Sequence, residues 1–388
     1  MRVLKLVIKN ALRHRLRTGL TVLGIAVAVM AFGVLRTIIT AWNAGVEASA
    51  ANRVITVHRV SIIFPLPLSY RNEIERVPGV AGVTYANWFG GVYKDASDWK
   101  NFFPRIAVDA DSYFQQFPEI LIPPEELDAF RKEQNSCILG QKIAREHGFK
   151  IGDLISIEGD IYPGHWEFSV KGIYKGRDAT VDETAMFFQW KYLDEQVKQL
   201  QPGREGNVGW YVIRVQNTSD IPRISRTIDD MYANSRATTK TETEKEFQQS
   251  FVQMSSAILT SIQVISFVII GIILLVLANT IVMAVRERTR EYAVLKTLGF
   301  TSMHLIGLIG GESMMLALAG GFLGLVLTFP IAGAFATAFP TFFPVFRVEP
   351  VTVAMAFGTA ILAGIIAAAF PAGRILRMRI VDGLRTLG

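Results

Sequence analysis

The chain has 388 residues, half of them hydrophobic, with a formal net charge of +6 and a single cysteine. So apolar a composition excludes an ordinary soluble two-domain protein, and one cysteine, Cys137, excludes an internal disulfide framework. The positive balance is not a nucleic-acid signal, because the basic residues flank apolar runs instead of interleaving with aromatics along a groove.

Four segments, 18–39, 258–285, 303–329 and 351–370, reach the roughly 20 apolar residues that a helix needs to cross a bilayer. About two hundred residues of ordinary globular composition separate the first two, a domain's worth. The predicted fold class is an integral membrane α-helical protein with four transmembrane helices and a large α+β extracytoplasmic domain between helices 1 and 2. In chain order this gives a cytoplasmic amphipathic helix over 1–17, transmembrane helix 1 with its stalk over 18–51, and an outer domain in two lobes over 52–239. A second stalk and span follow over 240–285, a cytoplasmic helix over 286–302, a span over 303–329, an outer loop over 330–350, a span over 351–371 and a tail over 372–388.

Orientation follows from the Lys and Arg beside the spans. Arg2, Lys5, Lys9, Arg13, Arg15 and Arg17 precede the first span with no acidic residue among them. Arg286, Arg288, Arg290 and Lys296 follow the second against Glu287 and Glu291, and Arg374, Arg377, Arg379 and Arg385 follow the fourth against Asp382. An even number of spans puts all three segments on one side, so both termini are expected in the cytoplasm and the large domain outside.

The first span carries Gly19, Gly24 and Gly33 among alanines, small residues that let helices approach in lipid. Arg36 near its outer end reads as a snorkelling side chain or, less economically, as a transport residue. The outer domain opens with an alternating strand from Arg53, followed by a helix that Pro78-Gly79 breaks and a strand from Gly82 to Phe89. A Pro- and acid-rich stretch over 118–133 is expected to be exposed. Strand, helix, turn and strand are expected over 137–157, strands over 168–174, 186–188 and 210–215, and a helix over 221–231. From 240 to 253 a polar helical pattern is expected to run unbroken into the second span. The apolar run Ile62, Ile63, Phe64, Leu66 and Leu68 fits a cargo- or partner-binding loop and a buried core segment equally well.

Chemistry-bearing motifs are sparse. No Gly-x-x-x-x-Gly-Lys-Ser/Thr phosphate loop occurs, and the five histidines lack metal-ligand spacing. Glu312, inside the third span, is a functional candidate by position, with pairing to a basic residue as its structural alternative. Between the second and third spans, Tyr292, Leu295 and Leu298 recur at helical spacing, and Gly299 sits where a left-handed cap would stop the helix.

The run Glu287-Arg-Thr-Arg-Glu-Tyr-Ala-Val-Leu-Lys-Thr-Leu-Gly299 resembles the coupling helix of the FtsX/MacB-type permeases of ATP-driven transporters. Ile74-Glu-Arg-Val-Pro-Gly-Val-Ala-Gly-Val83, Ile138-Leu-Gly140 with Gly152-Asp153, Phe370-Pro-Ala-Gly-Arg374 and Asp382-Gly-Leu-Arg385 extend the likeness over most of the chain. The resemblance implies a non-catalytic, stand-alone permease in a bacterial inner membrane, paired as a homodimer or with a related second permease. It implies two ABC ATPase subunits that bind ATP and Mg²⁺ themselves, with no cofactor in this chain and room for a periplasmic adaptor or accessory protein. By that resemblance, Arg286, Glu287, Arg288, Thr289, Arg290, Glu291 and Lys296 would set the register of ATPase docking. Tyr292, Leu295 and Leu298 would supply its apolar contact, Gly299 would close the helix, and the N-terminal helix would brace it. The cargo would be hydrophobic: a lipid, lipoprotein, lipopeptide or drug. The alternative is a transmembrane signal transmitter that switches an outer partner such as a cell-wall hydrolase. A secondary transporter fits poorly, since no inverted repeat is visible.

Overall fold

The structure, a computed structural model, describes residues 12–98, 101–178, 180–339, 343 and 345–377. Most of the helix expected over 1–17 and the Asp382–Arg385 ending lie outside the described residues. The chain divides into two compact units, one of 1–40, 255–337 and 346–388, the other of 41–254 and 338–345.

A single helix, α1 (Arg15–Ala48), begins the described chain after one 3-10 turn. The domain follows as β1 (Arg53–His58), β2 (Leu66–Pro67), α2 (Tyr70–Glu75), β3 (Val80–Trp88), β4 (Arg105–Val108), α3 (Tyr113–Gln116) and β5 (Ile120–Leu121). It continues as α4 (Pro124–Lys132), β6 (Ser136–Gly140), α5 (Gln141–His147), β7 (Leu154–Gly159), β8 (Gly164–Gly176) and β9 (Met186–Gln189). It closes with α6 (Trp190–Leu200), β10 (Asn207–Val208), β11 (Trp210–Val215), α7 (Ile221–Met231), β12 (Thr239–Thr243) and α8 (Glu244–Met254).

Ten strands form one sheet in the order β12-β1-β11-β3-β4-β9-β6-β8-β5, with β7 paired to β8. One end is built from the start and finish of the domain, the other from its middle. Strand β6 is buried along its whole length, so it reads as a short continuous apolar run. Strand β7 alternates, with Ile155 and Ile157 inward and Ser156 and Glu158 outward. The main core gathers around Phe89, whose ring meets Trp166 edge-on at 5.0 Å and Phe188 at 5.2 Å. Cys137 is buried in β6, as expected.

One expectation about the domain is refined and one is corrected. The stretch expected to be exposed over 118–133 is exposed or half-buried except at Phe130, and within it residues 124–132 form the helix α4, which the sequence reading did not name. Pro124 at its start, Glu125 and Glu126 in its first turn, and Arg131 and Lys132 in its last all favour that helix. The stretch before the second span is not one continuous helix. Thr239–Thr243 is an edge strand on β1, and α8 starts behind a reciprocal capping box. There the Glu246 backbone N–H donates to Thr243 Oγ1 at 3.1 Å, and the Thr243 N–H donates to Glu246 Oε2 at 2.9 Å. A break at Ser255 then separates α8 from α9 (Ser256–Glu287).

The other unit is a bundle of α1, α9, a short helix α10 (Thr289–Thr297), α11 (Ser302–Ala338) and α12 (Pro350–Arg377). Four of these helices are long and apolar enough to cross a membrane. Helix α11 runs past Phe329 and through Pro330, longer than expected. In lipid the backbone beyond the proline has no cheaper way to satisfy its polar groups than to stay helical. Helices α1 and α11 meet at small residues. A Cβ on Gly33 would lie 2.8 Å from Thr328 Cγ2, and one on Gly324 would lie 2.6 Å from the Ala26 carbonyl. The Ser313 hydroxyl donates to the Gly364 carbonyl at 2.7 Å, joining α11 to α12, and Thr21 and Thr280 share a hydrogen bond joining α1 to α9.

Candidate functional site

Between α9 and α10 the chain turns at Arg288 alone. Helix α10 ends as its spacing predicts. Gly299 takes φ +92°, its N–H donates to the Lys296 carbonyl at 3.1 Å, and the Phe300 N–H donates to the Leu295 carbonyl at 3.0 Å. This pair of bonds with a left-handed glycine is a Schellman cap.

Two sets of ion pairs hold the α9–α10 turn and the start of α10. On one side, Arg17 donates from both terminal nitrogens to the two carboxylate oxygens of Glu287, each at 2.7 Å, and Arg13 donates to Glu291 at 2.6 Å. His14 stands 3.6 Å from Glu287. On the other, the buried Arg288 donates to Glu312 Oε2 at 2.9 Å, so the intramembrane carboxylate has its basic partner within the chain. A buried pair needs such geometry, because desolvation penalises each charge separately.

This arrangement changes the roles expected of several residues. Tyr292 and Arg288 are buried and Leu295 is half-buried; Tyr292 belongs to the buried cluster that includes Ile281, Val285, Leu305 and Ile309. The phenol of Tyr292 is pushed up to about 12 by burial and by the nearby Glu312 charge. Of the expected apolar stripe, Tyr292 is buried, Leu295 is half-buried and Leu298 is exposed. Arg286, Glu287, Arg290, Glu291, Val294, Thr297 and Leu298 remain exposed, and Thr289 and Lys296 are half-buried. Leu298 is 71% exposed and Val294 45%, so the free apolar surface centres on these two. Sequence spacing named Leu298 but missed Val294.

The apolar loop of the domain is divided. Leu66 is fully buried and Leu68 packs on the main core, while Ile62 lies against Val57 and Val212. Ile63 and Phe64 alone of the five are exposed. Arg36 lines a cavity in the helical unit, and its Nε has no hydrogen-bond partner there.

Sequence reasoning missed the junction where the domain begins and ends. Arg53, at the start of β1, donates from Nε to Glu244 Oε2 at 2.7 Å and also pairs with Glu119 at 2.5 Å. Its guanidinium lies over the Phe117 ring at 4.3 Å, and Glu244 also accepts from the Ala50 N–H at 2.9 Å. The only signal was an arginine opening the alternating strand expected from Arg53.

On the β7–β8 hairpin, the Ser156 hydroxyl lies 2.8 Å from His165 Nε2, and His165 Nδ1 lies 2.6 Å from Glu158. All three are exposed and line neither described cavity, so they lack the enclosed setting that nucleophilic catalysis uses. No group of three His, Cys, Asp or Glu among the described residues has metal-site spacing.

Two family models match. The FtsX-like permease C-terminal model covers residues 263–380, and the MacB-like periplasmic core domain model covers residues 18–231. An uncharacterized ABC transporter permease of Methanocaldococcus jannaschii is 23% identical over 350 residues, covering 82% of this chain and 80% of its own. The macrolide export ATP-binding/permease protein MacB of Agrobacterium fabrum is 27% identical over 146 residues, covering 38% of this chain but 22% of that protein. The periplasmic region of MacB from Actinobacillus actinomycetemcomitans overlaps 53% of this chain and 95% of that structure, with a TM-score of 0.38 and 8% identity.

The chain belongs to the FtsX/MacB-type permeases of ABC transporters. It carries that family's plan of four membrane-spanning helices with a periplasmic-type α/β domain between the first two.

Proposed function

We propose that this permease passes motion from separate ATPase subunits to its outer domain, which exports or extracts a hydrophobic cargo such as a lipid, lipoprotein, lipopeptide or drug. The observation that carries this reading is α10, a short capped helix between two spans, whose Glu291 pairs with Arg13 ahead of α1 and whose turn from α9 is held by Arg17–Glu287 to α1 and by Arg288–Glu312 to α11. A helix so held moves with the bundle instead of bending alone. Its exposed face, with Val294 and Leu298 among Arg290, Glu291 and Arg286, offers an ATPase groove a small apolar anchor inside a charged rim.

In this reading ATP and Mg²⁺ are bound by two ATPase subunits, and the permease works as a homodimer or beside a related second permease. It sits in the inner membrane with both termini cytoplasmic and the domain periplasmic, in line with the basic residues beside the spans. An accessory periplasmic protein can complete the path of the cargo.

The test is co-expression with candidate ATPases, scored by co-elution and ATP hydrolysis for the wild type, Leu298→Asp and Val294→Asp. Loss of co-elution in both variants, with the membrane fraction unchanged, is expected. ATPase binding untouched by either change would remove α10 as the docking element.

A further inference from the structure

A cavity of about 560 Å³ opens among α1, α9 and α12, within the range of ligand-sized pockets. Its wall is mostly apolar, including Phe32, Phe267, Ile270 and Leu362. Arg36 enters it with a buried Nε that has no partner, and no acidic residue lines it. The hydroxyls of Ser266 and Thr359 on the wall donate to the carbonyls of Ile262 and Ala356, and being uncharged neither neutralises the guanidinium. Gln263 stands exposed at the rim with its amide available.

An arginine in a span is retained only with a partner for its charge. Its depth tells which partner fits. From Arg17 to Arg36 the helix rises ~29 Å at 1.5 Å per residue, and the hydrocarbon core is about 30 Å thick. Arg36 therefore stands one bilayer core away from the basic cluster at the start of α1, at the level where lipid phosphates of the opposite leaflet lie. Guanidinium and phosphate match in charge and in fork geometry. The apolar wall running from Arg36 toward the bilayer interior suits an acyl chain.

The geometry points to a bound membrane phospholipid, its phosphate on Arg36 and Gln263 and an acyl chain along Phe32, Ile270 and Leu362. Simple snorkelling differs from this, because it needs no walled cavity beneath the arginine. The assignment stands whether or not α10 docks an ATPase, since it uses only the helical unit.

The test is native mass spectrometry of the full chain purified in neutral detergent and incubated separately with dioleoylphosphatidylglycerol, dioleoylglycerol and inorganic phosphate. One phosphatidylglycerol retained per chain is expected, with dioleoylglycerol and phosphate retained weakly. Arg36→Gln should lower retention roughly tenfold or more, the scale of one charge-assisted hydrogen bond. Gly358→Phe, at a lining position with open space around its Cα, should do the same with Arg36 intact, which keeps the test valid if the first variant folds poorly. Retention unchanged in either folded variant overturns the site, as does equal retention of dioleoylglycerol or of phosphate alone. A change in oligomeric state with lipid retention unaltered would mean that a second copy covers the cavity, and would equally overturn it.

Discussion

Arg17 and Glu287, 270 positions apart in sequence, face each other as a two-pronged ion pair with both contacts at 2.7 Å. Both side chains are partly solvated, so the pair adds little to stability and works as a register pin between α1 and the α9–α10 turn. Arg17→Glu and Glu287→Arg alone should leave the melting temperature nearly unchanged but lower permease-stimulated ATP hydrolysis several-fold. The double exchange should restore it. Double-mutant coupling near zero in the reconstituted complex would show that the pin is idle.

The Arg288–Glu312 pair is buried and behaves differently. Removing one partner leaves an uncompensated charge, a loss of about 3–5 kcal/mol. Arg288→Met or Glu312→Leu should thus each destabilise the bundle strongly in detergent melts. Arg288→Met with Glu312→Leu together should recover most of the loss. If the double variant is as unstable as the worse single, the pair does more than satisfy itself.

Tyr292 gives this region a pH signature. Its pKa is raised from 10.0 to about 12 in the folded chain, so between those values the native state holds a proton that the unfolded chain has released. The stabilisation is complete below pH 10 and is lost as pH rises toward 12. Wild type should therefore lose stability relative to Tyr292→Phe over this window, read from paired melts at stepped alkaline pH. Parallel curves would mean that Tyr292 is more solvated than the structure has it.

Gly324 tests the crossing of α1 and α11. A Cβ there would meet the Ala26 carbonyl at 2.6 Å and Val29 Cβ at 2.8 Å, so Gly324→Ala should cost about 1–3 kcal/mol through overpacking. Gly333→Ala, on the same helix with nothing within 4 Å, should be neutral or slightly stabilising. Equal melting of the two variants would place the crossing elsewhere.

In the domain, Arg53→Met should destabilise by about 3–5 kcal/mol, because Glu244 would remain buried without its cation. Protease resistance of the membrane-inserted chain measures this. A variant as resistant as wild type would refute the junction as a fixed point.

Much of this architecture was legible in the residues. Spans follow from apolar length, and α10 with its Gly299 cap from spacing and glycine chemistry. The helix α7 and strand β11 were readable from period alone. What escaped depended on partners far away in the chain. Nothing local says that Glu312 will meet Arg288, or that Tyr292 will be buried inside the bundle. Other misses had local signals that were passed over. Thr243 with Glu246 is a capping box, and Trp190, Leu193 and Val197 repeat at helical spacing along α6. The third span ran longer than its apolar count because Pro330 does not stop a helix in lipid, where a freed carbonyl has nowhere else to turn.

Strands β1 and β12 run antiparallel with Val54 opposite Thr243, so the chain enters and leaves the domain at the same end of one ladder. If one leg is pushed while the other is pulled, the load falls in shear on the whole row of bonds from Val54 to His58 at once, which resists yielding. If the legs are spread sideways, the strain arrives first at Arg53 and Glu244, whose ion pair closes that end like a clasp. Shear loading of this ladder is thus resisted by every bond together, while opening it from the chain-end side is resisted first by one ion pair.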